Sequence, residues 1–428
     1  MKNELVRKGL VLGIIVLFFG AGVLPSMGVT VVDNKSNRLI LDSNTLYVGG
    51  TGEGNYSKIQ DAIDNASDGD TVFVYSGFYD INDFIIINKS IRLIGENKIN
   101  TIINGSSIAL DVPKVNISGF TMQNSFGILI ADFDNISIYG NIFKSNESFI
   151  GFGGIFIINS SYNTISDNSF FNCGLDILFT SYHNSVKNNT INGKPLVYFE
   201  DVSDKVIDDA GQIILIDCKN ITVENLELNN SFSSIQLIDS FNCLISNNKF
   251  SNNNIVGFFT NSNDNIITEN LFSNNIVCLL FVNCEGNNIL RNSFQYNEGL
   301  LLFETSSCNL VSYNNFKYKY IPWNLKILSF ESDNKWVGNY WNRPRLIPAI
   351  IWNFKSPKLI NFPLMPTFPD IDWRPAKKPN DINGAKSEWS EFKVKNPRNR
   401  MSVNSLFQLL FDRYPLLEVF LREMNLLR

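Results

Sequence analysis

The densest group of potentially reactive side chains is acidic: Glu200, Asp201, Asp204, Asp208 and Asp209 fall within one short stretch. Clustered carboxylates supply the hard oxygens that calcium prefers. The same composition also describes a solvated loop, so calcium binding and plain solvation are both consistent with it. Asp132 and Asp134 form a second, smaller group of the same kind. Softer metals need His, Cys and Met. The chain has one histidine, His183, and six cysteines, Cys173, Cys218, Cys243, Cys278, Cys284 and Cys308, with no Cys-x-x-Cys pair. Thiols scattered this way are expected to fill a core as small hydrophobes, and His183, beside Tyr182, to sit in a turn. No metal is assigned, and copper is not expected from this donor set.

The elements that must position these groups follow from a repeat. Phe250, Phe272, Phe294 and Phe316 recur every 22 residues, and Asn248, Asn270, Asn292 and Asn314 keep the same step. Apolar residues alternate over short runs such as Ile165 to Phe170, which suits strands rather than helices. A fixed period with short strands places each residue over its counterpart one coil earlier, about 4.8 Å away. The fold class predicted is all-β, a single-stranded right-handed parallel β-helix. Its phenylalanines should stack in an internal ladder. Its asparagines should form a turn ladder, because Asn tolerates left-handed φ and its amide bonds the next amide. The step from Ile191 to Leu228 is longer than one coil, which reads as an insertion within a coil near residues 193–211.

The ends divide the chain further. Basic Lys2, Arg7 and Lys8 precede the apolar run Leu10 to Leu24 and the small-x-small site Ser26-Met27-Gly28. Residues 1–28 therefore read as a cleaved signal peptide or a retained N-terminal anchor. Residues 45–70 form an N-terminal cap, in which Ser57 and Gln60 match a capping box and Ile59, Ala62 and Ile63 line one helical face. The β-helix spans 71–340. Residues 341–400 combine tryptophan with many prolines, which are excluded from central strands, and should form an irregular arm. Residues 401–428 read as an amphipathic helix that caps the solenoid or lies on a membrane. Sequons such as Asn55-Tyr56-Ser57 and Asn220-Ile221-Thr222 are compatible with a secreted glycoprotein.

If Ile235 and Leu237 point inward, residue 236 points outward, and the 22-residue step gives Gln236, Phe258, Leu280 and Leu302, with Leu129 and Phe156 as earlier equivalents. Asp176 and Glu304 flank this row singly, so it lacks the paired carboxylates of a glycosidase. Phe156, Phe258, Leu280 and Leu302 are candidate binding residues or a face covered by the arm. Trp341, Trp352 and Trp373 could stack on sugar rings. A net charge of −5 and the absence of a basic stripe argue against nucleic acid.

Ile59-Gln60-Asp61-Ala62-Ile63, Asp68-Gly69-Asp70-Thr71-Val72 and Gly77-Phe78-Tyr79 resemble the entry segment of pectin-lyase-like β-helix proteins, and the repeats resemble those of the carbohydrate-binding and sugar-hydrolase group. Asn192-Gly193-Lys194-Pro195-Leu196, Asp209 to Leu215 and Gly338-Asn339-Tyr340-Trp341-Asn342 resemble secreted archaeal proteins of the NosD-type family. The resemblance implies the fold over roughly residues 45–345. It implies three functional classes: a noncatalytic binding or scaffold protein at carbohydrate or the cell envelope, a lyase, hydrolase or epimerase, and a copper-site accessory protein. The residues favour the first, at the cell surface.

Overall fold

The structure is a computed structural model. It describes residues 44–382 apart from 82, 146–153, 179–180, 318–326, 331, 343–348, 352 and 355–369. Residues 1–28 and 401–428 and the tryptophans Trp352 and Trp389 lie outside the described residues.

The chain winds as a right-handed parallel β-helix of short strands, as its periodicity predicts. Columns of facing residues fix the register. Ile108, Ile128, Ile155 and Leu175 share one column in the first half. Phe250, Phe272, Phe294 and Phe316 share one in the second. Their rings stack at centroid distances of 5.1, 4.6 and 5.0 Å, and Trp341 ends the column 4.8 Å beyond Phe316. A second aromatic column, Phe259, Phe281 and Phe303, runs beside it at 4.7 and 5.0 Å. It keeps the same 22-residue step.

At the corners of each coil the backbone leaves the strand ladder, and its N–H groups need other acceptors. Buried asparagines supply them. The Asn270 N–H and Nδ2 both donate to Asn292 Oδ1, at 3.0 Å each, and Nδ2 also donates to Ile245 O at 2.8 Å. The same pattern joins Asn248 to Asn270, Asn292 to Asn314 and Asn314 to Asn339. Parallel ladders run through Asn265, Asn287 and Asn309 and through Asn253, Asn275 and Asn297. A fourth ladder, at the same corner as the Asn265 ladder, uses hydroxyls and thiols: Cys218, Ser240, Ser262, Cys284 and Ser306 each donate their backbone N–H to the next member, the last to Ser332.

The ladders correct one expectation. The left-handed residue is the one before the laddering asparagine, namely Asn247, Glu269, Arg291 and Tyr313, with φ of 56°, 56°, 54° and 55°. Conformational tolerance and amide pairing thus sit on adjacent positions. This is why the left-handed site varies in residue type while the buried one stays Asn.

The ladder ends on Asp372. A carboxylate only accepts, so it can close a run of donors. Its Oδ2 accepts from the Asn339 N–H and Nδ2 and from Trp341 Nε1, at 3.0, 3.2 and 3.1 Å, and its Oδ1 accepts from the Gly338 N–H at 3.2 Å. Asp372 belongs to the arm. Its strand, Asp370–Asp372, pairs with Lys335–Val337 and with Ala349–Ile351, so part of the arm is ordered sheet at the end of the core. Nearby Asp370 is pushed up to about 6 by burial, against the opposing bond from Trp336 Nε1.

At the other end, helix Ile59–Asn65 buries Ile59, Ala62 and Ile63 against the first core. Its N-cap is Lys58, without a side-chain cap bond, so the predicted capping box does not form. Gln60 instead bonds the strand below, accepting from the Ile86 N–H and donating to Ile86 O. Parallel pairing already starts at Thr45–Val48, ahead of the expected first strand.

The break in period is not a simple insertion. Thr190–Ile191 pairs antiparallel with Lys194–Glu200 across Asn192 and Gly193, whose φ values are 51° and 84°. Two positive φ values at an Asn-Gly pair define the tight hairpin in which Asn and Gly are the favoured residues. The chain reverses there and begins a second set of coils with its own core. Strand Gln212–Ile216 is buried on both faces: Ile213 and Leu215 join the second core, whereas Ile214 and Ile216 join the first.

Replacing Asn270 by Leu should strand the donors of Asn248 and cost about 1–3 kcal/mol for each buried group left unpaired. Phe272→Ala should cost about 3–5 kcal/mol. Urea unfolding of both variants, with exposed Lys249→Ala as a near-neutral control, checks these values.

Candidate functional site

Five successive strands of the second core's broad sheet are each followed by a left-handed residue. Asp201, Asp217, Asp239, Asn261 and Asn283 hold this position in successive coils, with φ between 48° and 54°. Their N–H groups bond the carbonyls of Ile216, Ile238, Thr260, Val282 and Glu304. The column therefore begins with three aspartates at coil spacing, about 4.8 Å apart. The last turn of the first core faces them. Tyr182, His183, Glu200, Asp201, Asp217 and Asp239 line one open cleft.

Hydrogen bonds hold the cleft walls. The Tyr182 hydroxyl donates to Asp239 Oδ2 at 2.6 Å, and Asn261 Nδ2 donates to Oδ1 at 3.0 Å. Glu200 Oε1 accepts the His183 N–H at 2.6 Å and lies 3.1 Å from His183 Nδ1, and Oε2 accepts the Tyr198 hydroxyl at 2.5 Å. Burial and bonding to these carboxylates push both tyrosine hydroxyls well above their ordinary range. They remain neutral donors at any physiological pH. The exposed Tyr162 ring lies 5.4 Å from the His183 ring, beside the cleft.

The sequence-predicted residues fall in different places. Glu200 and Asp201 line the cleft, but Asp204, which accepts from Asn220 Nδ2, and Asp208 and Asp209 are exposed on the loop beyond it. The five do not converge as the calcium reading requires. Among the described residues no group of three or more His, Cys, Asp or Glu is placed to hold a metal ion. Phe258, Leu280 and Leu302 do form one outward column with Gln236, but they are buried, at 6, 0 and 5% exposure. They form a packed face, not a binding surface. Phe156 is half-buried with its ring 5.3 Å from that of Phe232. Trp341 is a core residue, held by stacking and by Asp372, whereas Trp373 is 70% exposed. Asp217 and Asp239 were missed. Their signal was the 22-residue step that continues into Asn261 and Asn283.

A parallel β-helix with two cores and a carboxylate-lined cleft defines the class. The chain belongs to the family described as periplasmic copper-binding protein (NosD), whose family model matches residues 63–209 and 197–346. That description suggests a place outside the cytoplasm. No curated protein matches the chain. Among solved structures it is similar to ORF18 of Geobacillus virus E2, at 14% identity over 72% of this chain and 59% of that one, with a TM-score of 0.27. It is similar to PfbA, a surface adhesin of Streptococcus pneumoniae, at 13% identity over 69% and 84%, with a TM-score of 0.28. It is also similar to the A-module of the Azotobacter vinelandii mannuronan C-5 epimerase AlgE6, at 12% over 66% and 87%, with a TM-score of 0.26. The chain spans 59% of the viral protein's length. These values carry no inference about activity.

The donor set does not fit the copper of the family description. His183, the chain's one histidine, is engaged with Glu200. Cys173, Cys218, Cys243, Cys278 and Cys284 are buried, and only Cys308 is exposed. Burial pushes Cys173 and Cys284 up to about 12 and Cys243 to about 11, which disfavours the thiolate that would bind a soft metal. Cys218 and Cys284 serve the hydroxyl–thiol ladder. Alkylation of the native protein at pH 8 should therefore give one adduct, at Cys308, by peptide mass spectrometry, and all six only after denaturation.

Proposed function

We propose that this protein is an exported binding protein for a hydroxyl-rich glycan, held noncatalytically in the cleft outside the cytoplasm. The column of Asp201, Asp217 and Asp239 beside Tyr182 and His183 carries this reading. Carboxylate oxygens at coil spacing accept hydrogen bonds from successive hydroxyls, and charged acceptors make the stronger bonds. The Tyr162 face suits the CH side of a pyranose ring. Exposed Trp373 is a second ring platform of the same chemistry, away from the cleft. Export rests on residues 1–28, either cleaved or retained as an anchor, and the periplasmic family description supports it.

Binding to immobilised cell-envelope glycans, followed by titration calorimetry on the best ligand, tests the proposal. Asp239→Asn and Tyr162→Ala should each weaken the affinity by about tenfold or more, the loss expected for one charged hydrogen bond or one stacked ring. Unchanged affinity in both variants would move the site elsewhere. Cleavage or epimerisation of the bound saccharide would make the protein an enzyme instead.

A further inference from the structure

The first core ends on strand Leu175–Leu178, the last of its five-stranded sheet. An open end of this kind exposes unpaired N–H and C=O groups. Here side chains from the second core close it. Gln212 Oε1 accepts the Leu175 N–H at 3.1 Å, and Gln212 Nε2 donates to Leu175 O at 2.6 Å. Gln236 Oε1 accepts the Ile177 N–H at 3.1 Å. Two glutamines thus stand in for the missing neighbouring strand. Gly174 makes room for them, since a Cβ there would lie 2.5 Å from Gln212 Oε1. Ile214, Ile216 and Ile238 from the same outer face pack into the first core.

Asp176 lies in the middle of this joint, 1% exposed. Its Oδ1 accepts the Ser233 hydroxyl, and its Oδ2 is buried with no hydrogen-bond partner among the described residues. The residues packed against it carry no charge to offset an anion: Phe156 beside it in the sheet, Gln212 and Ser233 across the joint, and Gln236 one residue along. The titratable group that acts with it is Cys173, a buried thiol that stays neutral. An isolated buried carboxylate is costly, so the group holds its proton instead.

We propose that Asp176 is a protonation-controlled lock on the joint between the two β-helical cores: neutral, it lets the glutamines seal the strand, and ionised, it favours opening. Desolvation supports this by pushing the carboxyl up to about 8. In an opened joint the group returns to the ordinary carboxylate range near 4. The closed joint therefore binds the extra proton between about pH 4 and 8. Its stability is fully present below that window and is lost as pH rises through it, by up to about tenfold in the opening equilibrium per pH unit.

Amide hydrogen exchange at Leu175 and Ile177, corrected for the intrinsic pH dependence of exchange, reads this directly. In the intact wild-type chain protection should fall at least about tenfold between pH 5 and 8. In Asp176→Asn it should stay level over the same range. A level wild-type profile, or an equal fall in the variant, would overturn the proposal. If Asp176→Asn does not fold, the carboxyl 13C shift of Asp176 in the wild type decides alone. A transition above pH 6 supports the lock, and one near 4 refutes it.

Discussion

The structure depends on a backbone N–H at a coil corner finding its acceptor one coil further along the axis. Strands of two to seven residues leave these corners outside the ladder, and a buried unpaired N–H would cost more than the corner could tolerate. Asparagine meets the need because its amide accepts from one neighbour while donating to another. The resulting ladders have a direction, and each needs a final acceptor. Asp372 provides it for the longest, taking donors from Gly338, Asn339 and Trp341 together. The Phe columns then pack between ladders whose spacing is already fixed, so stacking and amide pairing reinforce the same register.

The reversal at Asn192-Gly193 turns one solenoid into two cores that share a sheet. The outer face of the second core's first strands becomes the plug of the first core, which accounts for the wholly buried strands Gln212–Ile216 and Ser233–Ile238. The cleft follows from the same reversal. It brings the corner column Asp201, Asp217 and Asp239 against the last turn of the first core, at Tyr182 and His183. Joint and cleft adjoin: Asp239 follows the strand that carries Gln236, and its carboxylate holds the Tyr182 hydroxyl.

The coil period was legible because an axial repeat prints itself on the sequence as like residues at one step, as with Phe250 to Phe316. The residue types alone did not separate two adjacent roles, since Asn247 and Asn248 are both asparagine and only Glu269, Arg291 and Tyr313 reveal which position is left-handed. The outward column Gln236, Phe258, Leu280 and Leu302 was also legible. Its burial was not, because burial depends on what packs over a sheet. The acidic loop misled for a related reason. Glu200 to Asp209 are neighbours in sequence but diverge in space, whereas the carboxylates that do gather, Asp201, Asp217 and Asp239, lie a coil apart. The Asn-Gly pair was a strong hairpin signal, obscured by the expectation that one solenoid continues.

Excision of one coil tests this columnar account most directly. Removing residues 251–272 joins Phe250 to Ser273 and leaves every column that runs through the second core one member shorter but in register. This variant should remain folded, with native-like circular dichroism and cooperative unfolding. Removing only residues 251–261 should abolish folding, because each amide and ring would then face a different partner. A folded half-coil deletion, or an unfolded full-coil deletion, would contradict the account.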